Sequence, residues 1–306
     1  MERRNYPARI NALDLVPREK RVDRVVFNEM QHAAINAFIA MLKLKNYSNN
    51  TIKTYRNCFL IFLKNFPDRK PSGIQKAEIM DMLIRIYDSG NWSATSQNQM
   101  ISAIKFFYEQ LLNRPKEVYD LPRAKKPKQL PTVFSEREVI AIIKATENLK
   151  HKMVLCLAYA AGLRISEITN LKIRDIDSDR MIINIRQSKG KQDRIVMLSD
   201  RLLLMLRAYF IEYRPKYWLF EGQNREQYST RSISKVMQQC KRRANVYKKG
   251  GIHAFRHSFA THLLESGTDI MFIKELLGHQ SLQTTMTYIH VSKRNIMNIQ
   301  SPFDKL

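Results

Sequence analysis

The chain has 306 residues, 44% of them hydrophobic, which is enough for about two domains with cores of their own and excludes a largely disordered protein. It carries 52 Lys and Arg against 28 Asp and Glu, a formal net charge of +24, and such an excess selects a polyanionic partner because neutralising phosphates releases condensed counterions. An anionic membrane is the poorer candidate. The longest apolar run, Met153 to Gly162, falls well short of the roughly 18 residues a spanning helix needs, and the charged start Met1-Glu2-Arg3-Arg4 has no apolar segment behind it. A cytoplasmic protein without a membrane partner is expected. Cys58, Cys156 and Cys240 are odd in number and widely spaced, so they read as reduced thiols rather than disulfides.

Residues 1–27 mix charges with prolines and show no helical stripe, as an N-terminal arm would. From Asn28, Met30, Ala34, Phe38 and Leu42 recur at helical spacing. A second helix is announced by Ser48 as cap and runs through Tyr55, Phe59, Phe62 and Phe66 until Pro67 to Gly73 breaks it. Residues 76–88 and 93–112, the latter capped by Ser93, complete four amphipathic helices able to close a small bundle over 28–112. Between Asn113 and Pro131 the periodicity stops and basic residues, Lys125 and Lys126 among them, appear between prolines. This is a linker, either a solvated connector or a basic strap across a DNA backbone.

A capping box, Ser135 with Glu138, opens the second domain. A buried helix over 149–161 leads to Gly162, and Arg164 begins another helical turn. Residues 181–185 and 194–198 read as two strands of a hairpin around a turn at 188–193. Helices are expected over 200–213, 230–246, 253–266, 269–277 and 281–290. The helix-rich second domain, 132–292, thus carries one small sheet, and the tail 293–306 holds Ile296, Met297 and Ile299 on a plausible helix.

Chemistry concentrates near the C-terminus. His253-Ala254-Phe255-Arg256 is followed by Leu277-Gly278-His279 and Tyr288, with Gly162-Leu163-Arg164-Ile165-Ser166-Glu167 and Ser188-Lys189-Gly190-Lys191 upstream. Arg binds phosphate oxygens bidentately, His exchanges a proton near neutrality, and a Tyr oxygen can become a covalent nucleophile. Each residue has a bland reading too: Tyr288 as a packed core tyrosine, Arg164 and Arg256 as structural ion-pair partners, Lys189 as a turn lysine. His253 and His257 share an i,i+4 helix face of the kind zinc ligands use, but the run H-A-F-R-H lacks the glutamate of H-E-x-x-H and its arginine repels a cation, so no metal is expected. His257 and His262 read as packing or hydrogen-bonding residues.

The combination and order of these segments resemble the tyrosine recombinases, or phage-type integrases, over roughly residues 28 to 300. The resemblance implies a mainly α fold: an N-terminal four-helix SAM-like core-binding domain that clamps DNA, and a C-terminal helix-rich α+β catalytic domain with a small antiparallel sheet. It implies that Tyr288 attacks a scissile phosphorus to give a 3'-phosphotyrosyl link, that Arg164, Arg256 and His279 bind the phosphoryl oxygens, that Lys189 protonates the leaving 5' oxygen, and that His253 assists proton movement at the nucleophile. Lys191 is a near rival for the role of Lys189. Glu167 would orient Arg164 or His253. Because the phosphotyrosine stores the bond, no ATP or other cofactor is implied. The implied partners are a double-stranded DNA recombination site, a homo-tetramer on two such sites joined through a four-way junction, accessory directionality proteins, and a neighbouring subunit that receives the tail. The run Lys241-Arg242-Arg243 is a phosphate-contacting or merely solvated helix face, and groove-reading residues are sought at 49–57 and 93–105. The rival activities are DNA relaxation of the type IB topoisomerase kind, a non-catalytic DNA-binding regulator of the same fold, and a metal-dependent nuclease.

Overall fold

The helices of the first part of the chain begin at polar residues that take up backbone N–H groups left without an intrahelical partner. In the computed structural model, which describes residues 27–90, 92–115, 120–125, 130–186 and 193–292, helix α1 (Glu29–Leu44) is capped by Asn28, whose side chain accepts from the Gln31 backbone at 2.9 Å. Ser48 caps α2 (Asn49–Lys64) through the Thr51 N–H, and Ser93 caps α4 (Ala94–Phe106) through the Ser96 N–H. Between them α3 (Lys76–Asp88) starts at Gln75, whose N–H donates to Glu78 at 2.8 Å. The chain divides into two units, Met1–Lys128 and Gln129–Leu306.

The first unit is held by aromatic packing. Phe38 stacks on Phe59 with centroids 4.4 Å apart, and Phe106 meets Phe38 edge-on at 5.4 Å. After α4 the backbone widens into a π-helical turn, Phe107–Leu111, so that Phe106, Phe107 and Tyr108 are all buried although consecutive. The α1 stripe is shifted from its sequence expectation: Met30 is 52% exposed, and Gln31, Ile35, Phe38 and Leu42 face inward. Gln31 tolerates burial because its amide donates to the Phe66 and Pro67 carbonyls at 2.9 and 3.0 Å.

In the second unit α5 (Glu136–Lys144) starts at the capping box, with the Glu138 N–H donating to Ser135 Oγ and the Ser135 N–H to the Glu138 carboxylate. Helix α6 (Leu149–Ala160) is buried along its whole central run from Met153 to Ala158. It leads into α7 (Ile165–Asn170) and an antiparallel sheet in the order β1-β2-β3, made of Ile176–Asp177, Ile182–Ile185 and Arg194–Met197. The expected pair of strands is present in the register Ile183 to Val196, and the two-residue β1, too short to leave an alternating pattern, is added at the edge. Helices α8 (Asp200–Tyr213), α9 (Thr230–Arg243), α10 (Ile252–Glu265), α11 (Ile270–Leu277) and α12 (Leu282–Met286) follow. Ile252, Phe255, Ser258, Phe259, Thr261 and Leu264 are all buried, so α10 is enclosed on several sides and packs as a central helix.

Helix α12 ends well before the expected residue 290, and Tyr288 lies in a turn with its N–H on the Thr285 carbonyl at 3.0 Å. The Thr287 hydroxyl donates to the Thr284 carbonyl at 2.7 Å, a local bond that competes with helix continuation. The three cysteines are buried and free, and burial pushes the Cys156 thiol up to about 11, leaving it unreactive. Among the described residues no helix is long and apolar enough to cross a membrane. The N-terminal arm to residue 26, Lys126, the turn holding Lys189 and Lys191, and the tail 293–306 lie outside the described residues.

Phe38 is fully buried between two rings, so Phe38→Ala should lower the stability of the first unit by about 3–5 kcal/mol in urea denaturation of the full chain. A loss below about 1 kcal/mol would contradict this packing.

Candidate active site

The site is built on two glycines that let backbone and side chains approach closely. Gly162, after α6, has φ +59°, and a Cβ there would lie 2.4 Å from the Phe259 ring. Its carbonyl accepts from Arg256 Nη1 at 2.6 Å. Gly278 ends α11 in the left-handed conformation, φ +61°, and a Cβ would lie 2.9 Å from Arg194 Cδ. The Gly278 and His279 N–H groups close back on the Glu275 and Lys274 carbonyls, a Schellman turn.

That turn leaves the last carbonyls of α11 pointing onward without helical donors. Three successive ones take three different guanidiniums. Leu276 O accepts from Arg194 Nε at 2.7 Å, Leu277 O from Arg256 Nη2, and Gly278 O from Arg164 Nη2 at 3.3 Å. The negative end of the helix favours cations at this position.

Glu167 completes the cluster from α7. Its Oε1 and Oε2 each accept from Arg194 at 2.8 Å, Oε1 also accepts from Arg164 Nη1 at 2.7 Å, and Oε2 accepts from the Arg164 backbone N–H at 2.8 Å. Arg256 Nη1 stands 3.8 Å from Oε2. Burial alone would raise the Glu167 carboxyl, but the hydrogen bonds and charge of Arg194, the Arg164 N–H and the charge of Arg256 outweigh it and hold it at about 2. Arg256, 3% exposed, is drawn down to about 9 by burial and then by Arg164, and remains cationic at neutral pH. Three guanidiniums against one carboxylate leave the pocket positive, as a phosphodiester gaining charge during attack requires.

Three imidazoles and the phenol surround this cluster. His253, on the first turn of α10, is exposed, and burial of part of the ring followed by Arg256 and Arg164 lowers its pKa. His279 Nδ1 pairs with Thr285 Oγ1 at 2.9 Å, and its ring lies nearly parallel to that of Tyr288, centroids 6.3 Å apart. Burial and then the arginines bring His279 down to about 4, so it is neutral in the free protein. Tyr288 is 2% exposed against Phe259, Ala260, Leu264, Ile273 and Leu277. Burial raises its phenol above the ordinary range even though Arg256 and Arg164 pull the other way.

The structure therefore brings Arg164, Glu167, His253, Arg256, His279 and Tyr288 into one neighbourhood of the second unit, while Lys189 falls outside the described residues. Glu167 meets Arg164 as expected, and His253 makes no hydrogen bond to it among the described residues. Two contacts were not anticipated. Arg194 read only as a strand residue, and no sequence signal paired it with Glu167. His257, expected to pack or hydrogen-bond, holds the Tyr288 hydroxyl at 3.1 Å. His262 bonds the Tyr159 hydroxyl at 2.9 Å, in keeping with its bland reading. Of the residues sought for DNA contact, Lys125 and Arg242 are exposed and Arg243 pairs with Glu147 at 3.3 Å. Lys241 is engaged internally, on the Lys248 carbonyl, on the Gly250 carbonyl at 3.0 Å, and over the Phe134 ring.

Known proteins resemble the chain over most of its length. The model of the "Phage integrase family" matches residues 132–295, and that of the "Phage integrase, N-terminal SAM-like domain" matches residues 34–117. Tyrosine recombinase XerA of Pyrococcus horikoshii is 34% identical over 267 residues, 86% of this chain and 90% of that protein. Tyrosine recombinase XerD of Staphylococcus epidermidis is 32% identical over 278 residues, 85% and 94% of the two chains. A solved lambda integrase tetramer bound to a Holliday junction shares the fold, with TM-score 0.70 at 18% identity over 89% of this chain and 79% of that one. The two-part helical architecture is thus that of a recombinase. The chain belongs to the phage integrase family, the tyrosine recombinases.

Because Glu167 is held near 2 against an ordinary 4.5, its stabilisation is present above about pH 4.5 and is lost as pH falls toward 2, a difference of about 3 kcal/mol. Glu167→Gln should remove that acid-side dependence and cost about 3–5 kcal/mol at neutral pH, since it leaves guanidiniums buried against a neutral amide. Urea denaturation at pH 7 and near pH 3 measures both, and a variant as stable as the parent at pH 7 would contradict the assignment.

Proposed function

We propose that the protein is a site-specific DNA recombinase that cuts and rejoins double-stranded DNA through a 3'-phosphotyrosyl intermediate and a Holliday junction, without metal or ATP, in DNA integration, excision or resolution. The observation that carries this reading is the convergence of Arg164, Arg256 and His279 on the neighbourhood of Tyr288. Arg164 and Arg256 are assigned the non-bridging oxygens of the scissile phosphate, where their fixed forks need no reorganisation as charge develops. His279 is assigned to the same oxygens through Nε2–H, in the tautomer whose Nδ1 accepts from the Thr285 hydroxyl. Tyr288 is the nucleophile. Lys189 is assigned the proton for the leaving 5' oxygen, with Lys191 as its alternative, and His253 assists proton movement at the nucleophile. Glu167 acts through Arg164, and Arg194 through Glu167.

Tyr288 is 2% exposed in the free protein, so attack requires the scissile phosphate to gain access to the phenol. Residues 28–112 are assigned to gripping the duplex, 113–131 to the basic linker with Lys125 and Lys126, 132–292 to catalysis and 293–306 to contact with a neighbouring subunit, behind an arm at 1–27. Arg242 and Arg243 are assigned to phosphate contact. Strand exchange between two duplexes requires four active centres, so the working assembly is a homo-tetramer on two DNA sites; lambda integrase was solved as a tetramer bound to a Holliday junction. Accessory directionality proteins are proposed partners and the cytoplasm the place of action.

Mixed with duplex DNA carrying its site in the presence of a chelator, the protein should give an adduct that survives denaturant, whereas Tyr288→Phe should bind equally and give none. An adduct from the Phe variant, or loss of the wild-type adduct to chelator, would refute the reading. Duplex affinity should fall by on the order of 10³-fold between about 50 and 200 mM salt. A flat titration would refute the basic surface as the DNA grip.

A further inference from the structure

We infer that His257 is a catalytic residue, the group that receives the proton of the Tyr288 hydroxyl during cleavage and returns it on rejoining. The inference deepens the recombinase reading above and rests on it. His257 follows Arg256 on α10 and stands one turn beyond His253, and its Nδ1 lies 3.1 Å from Tyr288 Oη with ring centroids 5.8 Å apart. His253 makes no hydrogen bond to the phenol among the described residues. The direction of the His257 bond follows the tautomer of the ring. The phenol, raised by burial, keeps its proton, while burial followed by the charges of His253 and Arg256 brings His257 down to about 4 and leaves the ring neutral. With the ring proton on Nε2, Tyr288 Oη donates and Nδ1 accepts, and this is the tautomer the proton transfer uses. The groups facing His257 are His253 and Arg256 from its own helix, His279 from beyond α11 and Tyr288 from beyond α12.

Transfer of the proton to His257 in the free protein is uphill, which keeps the resting phenol unreactive. It becomes favourable as the bond to phosphorus forms. The Tyr288 oxygen bonds to phosphorus, its proton passes to His257 Nδ1, the bond from phosphorus to the 5' oxygen breaks, and that oxygen takes its proton from a separate donor, assigned above to Lys189. The negative phosphodiester lying against Arg256 also weakens the field that disfavours the imidazolium. On rejoining, the 5' hydroxyl attacks and gives its proton back to that donor, and the departing phenol oxygen recovers its own from His257.

The test compares wild-type protein with His257→Asn on a duplex selected by the protein from a random-sequence library, and on the same duplex with sulfur replacing the bridging 5' oxygen. The Asn carbonyl can accept the phenol hydrogen bond but cannot take the proton. The variant should bind the duplex with unchanged affinity and form the adduct about 10²-fold more slowly. The deficit should persist on the sulfur duplex, whose thiolate leaves without protonation. Adduct formation at the wild-type rate or faster would overturn the inference, as would restoration by sulfur, which would put His257 on the leaving group. If the Asn variant loses duplex affinity, His257→Gln is judged by the same two outcomes. A wild-type protein that forms no adduct on its selected duplex sinks the Tyr288 reading itself, a result distinct from a wild-type adduct matched by the variant.

Discussion

Three backbone carbonyls at the end of α11 and one carboxylate on α7 hold the three guanidiniums on which everything else in the second unit turns. Like charges do not gather in a protein interior unless something compensates them. Here the compensation is distributed: Leu276, Leu277 and Gly278 offer oxygens at the negative end of a helix, and Glu167 bridges Arg164 to Arg194 while facing Arg256. The result is a pocket anchored from α7, β3, α10 and the α11 terminus at once. Its positive excess is set by the fold before any DNA arrives, which is how electrostatic stabilisation of a transition state is made inexpensive.

The same arrangement explains why the short L-G-H and G-L-R-x-x-E segments take the form they do. Leu277 and Leu163 are core residues, and Gly278 turns the chain so that three carbonyls face the arginines and His279 falls beside Tyr288. Gly162 gives up its side chain so that Phe259 can pack against the backbone and its carbonyl can accept from Arg256. Glu167 both closes the first turn of α7 and offsets part of the pocket's positive charge, so a single side chain links local helix formation to the chemistry.

Much of this was legible in the sequence. The starts of α2, α4 and α5 followed from the caps Ser48, Ser93 and Ser135, and the reactive residues stood in motifs whose order resembles one family. What the sequence left open depended on spatial neighbours. Gln31 is buried, against its polarity, because two carbonyls beyond α2 receive its amide. Arg194 is separated from Glu167 by a whole hairpin, and nothing local marks their pairing. His257 and Tyr288 lie far apart in the chain, and only the short α12 with its turn brings the phenol back onto α10. The end of α12 was overestimated because periodicity carries no sign of the threonine hydroxyl that competes for backbone carbonyls.

The central claim is that a DNA phosphorus is bonded by the phenol this pocket surrounds. It is tested most directly by trapping the protein on its duplex, digesting the DNA with nuclease and the protein with trypsin, and locating the nucleotide-bearing peptide by mass spectrometry. The expected peptide contains Tyr288, carrying a nucleotide through its 3' phosphate. A nucleotide on any other residue, or one joined through a 5' phosphate, would contradict it.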